Sequence, residues 1–76
     1  MRPLPKRLMT ALDAIVAQEG DDIYFVLGYL GDSTARSYVS QLKSRGLAYT
    51  YVNSGLTEVW SHPKGRQLIA QQTEQS

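Results

Sequence analysis

Seventy-six residues suffice for one domain and are too few for two, because a chain this short buries too little of its surface to build two independent cores. The absence of cysteine excludes disulfide staples, thiolate zinc ligands and thiol nucleophiles together, and suits a reducing compartment, with the cytoplasm as the expectation. A formal net charge of +1 hides an uneven distribution: residues 1–7 carry +3, residues 8–32 carry −5, residues 33–66 carry +4 and Glu74 adds −1. Two basic segments around an acidic one fit a molecule with one anion-seeking face, against the plainer reading of solvated surface charge.

The opening MRPLPKR is basic, but Asp13, Glu19, Asp21 and Asp22 interrupt the stretch after it, so neither a signal peptide nor a membrane span is expected. Over residues 4–19, Leu4, Leu8, Met9, Leu12, Ile15 and Val16 recur at spacings of three and four, the period of one helical face, and Gly20 stops the run. Asp21 or Asp22 is placed to cap the next segment, IYFVLGYL. Its β-branched and aromatic content favours a buried strand, while the capping aspartates and the short hop to another helix start favour a helix, which is the reading adopted. Gly28 inside it predicts a close helix crossing, since glycine costs a helix about 1 kcal/mol against alanine.

After Gly31 a third helix is expected over residues 33–45, started by Asp32 or Ser33 and closed by Gly46. Ala35, Val39 and Leu42 form its apolar stripe. On a helical wheel Ser33, Ser37, Ser40 and Ser44 fall opposite that stripe, flanked by Thr34, Arg36, Gln41 and Lys43, with Tyr38 and Arg45 at its edge. The outward face is therefore small, polar and basic. From Leu47 the period changes to two, and LAYTYV, NSG and LTEVW read as a β-hairpin. Pro63 then opens a short closing helix in KGRQLIAQQ, which offers Leu68 and Ile69 as a last buried patch. One domain over residues 1–72 and a frayed tail at 73–76 complete the organisation.

Helix, helix, short turn, helix, hairpin, helix is the order of a helix-turn-helix with a wing appended, an α+β class. YLGDSTARSYVSQLKSRGLAYTYV resembles the winged helix-turn-helix core of bacterial regulators of the multiple-antibiotic-resistance type: a Leu-Gly elbow, a Ser/Thr-rich third helix, then Leu, three residues, Gly-Leu and a wing. HPKGRQLI resembles the Thr-x-x-Gly-Arg opening of that family's next helix, with His62 in place of the usual Thr. The resemblance covers about residues 23–70; the family's long terminal dimerisation helices have no counterpart here, and the wing turn NSG carries no basic residue.

The resemblance implies a regulator that binds double-stranded DNA through the third helix in the major groove. Ser37, Ser40, Gln41 and Ser44 would then lie near base edges and Arg36 would be the strongest reader, because a guanidinium makes a bidentate contact to guanine. Lys43, Arg45, Lys64 and Arg66 are the candidates for phosphate, with Tyr49, Thr50 and Tyr51 as wing contributors. Ser33 and Thr34 are read as caps that also touch phosphate at the helix start.

Plainer roles stand beside these. Tyr24, Phe25, Tyr49, Tyr51 and Trp60 are expected in core or hairpin packing rather than as stacking platforms, His62 as a helix cap, and the Asp21–Asp22 pair as a cap rather than an acid and base. No catalytic residue, metal or cofactor is expected. Since one winged helix covers a short site, a homodimer is expected on DNA; the competing reading is a protein-binding module, favoured by the tyrosine-rich hairpin and its uncharged turn.

Overall fold

The computed structural model describes residues 4–75 of the chain. Helix α1 spans Lys6–Ala17 and places Leu8, Ala11, Leu12 and Ile15 in the core, with Leu4 and Val16 packed at its margin. The spacing of those leucines and Ile15 makes one continuous apolar stripe, so a single helix face closes one side of the molecule.

The second segment departs from a continuous helix. It folds as one α-helical turn, α2 (Ile23–Val26), then a 3-10 turn at Gly28–Leu30. The Ile-Tyr-Phe-Val run has modest helix propensity and Gly28 has less, so burial of Ile23, Val26 and Leu27 sets the conformation rather than propensity. The close helix crossing expected at Gly28 is not there: an added Cβ would meet nothing within 4 Å. Asp22 caps α2, its Oδ1 accepting from the Tyr24 N–H at 2.8 Å.

Helix α3 spans Asp32–Ser44, starting and ending one residue earlier than expected. Gly31 alone forms the elbow, with φ 86° and ψ 155°, a conformation open only to glycine. Asp32, Ser33 and Thr34 consequently lie inside the first turn, and the expected side-chain cap is not made. Ala35, Val39 and Leu42 are buried, as their spacing requires.

Strands β1 (Ala48–Asn53) and β2 (Leu56–Ser61) pair antiparallel with Tyr49 opposite Trp60, Thr50 opposite Val59 and Tyr51 opposite Glu58. Ser54 and Gly55 form the two-residue turn, both at positive φ, the hand that matches strand twist. The far edge of β2 is closed by residues 20–22: Gly20 N–H donates to Val59 O at 2.9 Å and Val59 N–H to Asp21 O at 3.0 Å. Asp22 joins the same edge, its Oδ2 accepting from the Thr57 N–H at 3.3 Å.

Helix α4 spans Pro63–Gln75, and Ser76 lies outside the described residues. Its start is capped as expected, by His62 Nδ1 accepting from the Lys64 N–H at 3.1 Å. Gly65 lets α4 approach the chain entering β1, since a Cβ there would stand 2.4 Å from the Leu47 carbonyl oxygen. Leu68 and Ile69 pack partly buried against the core. The aromatic residues divide. Tyr49 and Trp60 stack across the hairpin at 6.5 Å, whereas Phe25 at 72% and Tyr51 at 64% exposure are not in the packing expected for them.

Candidate nucleic-acid interface

Because one face of α3 is spent on Ala35, Val39 and Leu42, the opposite face is presented to solvent. Ser33, Arg36, Ser37, Ser40, Lys43 and Ser44 are all exposed along it, with Arg45 exposed at its C-cap. Thr34 and Gln41 are half-buried at the flanks. Among the described residues the Arg36 guanidinium has no hydrogen-bonding or ionic partner, so its five donors face water and are available to an acceptor.

Three residues of this face are already engaged. Gln41 Nε2 donates to Ser37 Oγ at 3.3 Å, one turn back along the helix, which joins two of the expected base readers. Lys43 Nζ donates to Thr50 Oγ1 at 3.0 Å and so ties α3 to β1. Thr50, expected as a wing contributor, holds the lysine that was expected on phosphate. The α3 face also carries one acid, the exposed Asp32 in the first turn, where it complements the positive end of the helix dipole.

The remaining candidates lie off α3. Tyr51 stands on the outer face of the hairpin opposite Glu58, whose carboxylate accepts from Asn53 Nδ2 at 3.2 Å and Trp60 Nε1 at 3.3 Å. Lys64 is exposed in the first turn of α4. Arg66 is drawn inward: its Nη1 donates to Ser61 O at 3.0 Å and Ser61 Oγ at 3.2 Å, and lies 3.5 Å from Glu19 Oε1.

That cluster was not visible in the sequence. Ser61 is buried, and both its N–H (2.8 Å) and its hydroxyl donate to Glu19 Oε1. The Ser61 hydroxyl, with help from the Ser61 N–H and Arg66, holds the Glu19 carboxyl below the usual glutamate range against the opposing effect of burial. Glu19 and Ser61 are 42 positions apart, and no spacing rule connects them. The cluster locks the end of α1 to the end of β2 and the start of α4, which places the wing.

Among the described residues there is no group of three or more His, Cys, Asp or Glu able to hold a metal ion, and no helix long and apolar enough to cross a membrane.

No family model and no curated protein matches the chain. Solved structures do. FabT of Streptococcus pneumoniae, determined in complex with DNA, superposes with a TM-score of 0.83 at 14% identity over 93% of this chain and 53% of its own. The multiple antibiotic-resistance repressor of Listeria monocytogenes 4b F2365 gives 0.80 at 20% identity over 93% and 52%. F-93 of SSV1 gives 0.75 at 14% identity over 93% and 82%. The chain thus spans about half the length of the first two and most of the third. Four helices and a two-stranded wing in this order make the chain a winged helix-turn-helix, similar to the core of multiple-antibiotic-resistance-type regulators.

Proposed function

We propose that this chain is a regulator of transcription that binds double-stranded DNA by seating α3 in the major groove. The observation that carries the reading is the outward row of α3, in which Arg36 stands exposed and unpartnered among Ser37, Ser40 and Ser44. A helix of about 10–12 Å diameter fits a groove about 12 Å wide. Similarity of fold to regulators, one of them solved on DNA, supports the same use here.

In this reading Arg36 reads guanine, while the serine hydroxyls accept most partners and discriminate little. Gln41 has one Nε2 hydrogen on Ser37 and keeps its second N–H and its Oε1 for a base edge. Ser33 and Thr34 meet phosphate at the start of α3, and Lys43, Arg45 and Lys64 meet it alongside. Arg66 has one nitrogen committed to Ser61 and offers phosphate its other donors. Tyr51 contributes from the wing. The chain acts by binding rather than catalysis, without a cofactor, in the cytoplasm, and as a homodimer on paired half-sites.

A second reading, a module that binds a protein partner, is favoured by the exposure of Phe25, Tyr29, Tyr51, Val52 and Leu56 and by the uncharged Ser54–Gly55 turn. Titrating pooled genomic duplex fragments at two salt concentrations and sequencing what is retained separates the two. Salt-steep retention with an enriched motif is expected; no retention near physiological salt overturns the DNA reading in favour of the second.

A further inference from the structure

A glutamine amide is an ambiguous reader of DNA. Its terminal torsion is soft, so the group can turn its NH2 hydrogens to the two acceptors of guanine, N7 and O6. It can equally turn a mixed edge to adenine, which sets an N7 acceptor beside an N6 donor. Gln41 is restrained against such turning. It stands one helical turn after Ser37, and its Nε2 donates to Ser37 Oγ at 3.3 Å. Positions four apart share one strip of a helix surface and side chains lean toward the N-terminus, so the serine lies where the Gln41 amide falls. Among the described residues neither side chain has a second hydrogen-bonding partner. Ser33, Ser40 and Ser44 have no side-chain partner at all among them, so the outward row of α3 is not uniform.

The two Nε2 hydrogens differ in position. One lies beside Oε1 and the other on the Cγ side, and only the first forms with Oε1 a donor–acceptor edge. We propose that Ser37 is a positioning residue that takes the Cγ-side hydrogen and so fixes Gln41 as a reader of adenine. The edge left whole complements adenine, its N–H meeting N7 and its Oε1 accepting from N6. Guanine would set O6 against Oε1, two acceptors face to face. Thymine offers an acceptor and a methyl group, and cytosine a donor alone.

The inference rests on the seating of α3 in the major groove and divides the labour along it. Arg36 selects guanine on one base pair and Gln41 selects adenine on another, while Ser37 acts through Gln41 rather than on a base. Half-burial of Gln41 at the flank of α3, beside the exposed Ser37, further limits the turns open to its amide.

Two measurements test the pair, the first without DNA. In heteronuclear NMR of the free chain, the two Gln41 side-chain N–H resonances are expected to lie further apart than those of an unrestrained glutamine. Ser37→Ala should draw them together, and Ser37→Thr, which keeps the hydroxyl, should preserve the separation. Resonances that ignore Ser37→Ala overturn the positioning role whatever the duplexes show. In the second, duplexes are selected from random sequence by the wild-type chain, and one position is expected to favour adenine over guanine by about tenfold. Gln41→Ala should abolish that preference and leave guanine selection by Arg36 in place. Ser37→Ala should cut it by about fivefold, the value of one hydrogen bond, and Ser37→Thr should restore it. An enriched motif in which no adenine depends on Gln41 overturns the proposal and leaves the groove reading standing; a wild-type chain that retains no duplex overturns both.

Discussion

Arg36 and Arg66 show how differently two arginines of one basic segment are used. Arg36 stands free on α3, whereas Arg66 closes a cluster on buried Ser61. Arg36→Ala is therefore expected to weaken specific duplex binding by about 1–3 kcal/mol and to relax selection at one base pair without changing stability. Equal losses on specific and random duplex, measured by competition titration, would remove its reading role. Within the cluster, Glu19 supplies the pH dependence. Its folded carboxyl sits below the ordinary glutamate value, so its contribution is complete above that value and disappears as pH falls through the lowered one. Glu19→Gln exchanges a charged acceptor for a neutral one and is expected to cost about 1 kcal/mol at neutral pH. Denaturant unfolding should show this gap narrowing in acid; a gap independent of pH would contradict the assignment.

At the scale of elements, the angle between α2 and α3 rests on Gly31. Its φ of 86° and ψ of 155° admit no side chain without strain, although an added Cβ there would meet nothing within 4 Å. Gly31→Ala is thus a purely conformational substitution, expected to cost about 1–3 kcal/mol in thermal or denaturant unfolding. A cost near zero would mean that the elbow has another accessible geometry. The α3–wing junction is set differently, by the Lys43–Thr50 hydrogen bond and by Gly65, whose missing Cβ lets α4 approach Leu47. The Gly-Arg pair that resembles a family motif thereby has a structural explanation in this chain: the glycine permits the approach and the arginine binds Ser61 and Glu19.

For the whole molecule, duplex affinity should fall with salt because each phosphate contact releases counterions, about 0.9 log units of affinity per log unit of salt per contact. Lys64→Ala is expected to lower that slope by about one such unit and weaken all duplexes alike at unchanged unfolding temperature, while Arg66→Ala, whose guanidinium serves the fold as well as phosphate, should lower the slope and the unfolding temperature together. Measuring the slope and the unfolding temperature of both variants distinguishes a pure phosphate contact from one that also serves the fold. The exposed Phe25 and Tyr29 on the α2 segment lie outside this account of DNA binding and remain the feature that most favours a protein partner.

Much was legible in the sequence because the relevant signals are local. Leucine spacing in α1, the Ala35–Val39–Leu42 stripe, the change of period at Leu47 and the His62–Pro63 helix start each lie within a few residues, and backbone periodicity acts over that range. The serine row of α3 emerged from the same periodicity. Tertiary structure alone decided the rest. Burial of Ile23, Val26 and Leu27 broke the second segment into a helical turn and a 3-10 turn, where local preference was divided between helix and strand. The Glu19–Ser61–Arg66 cluster, the Lys43–Thr50 tie and the closure of β2 by residues 20–22 join groups distant in sequence, and their geometry exists only once the chain has packed.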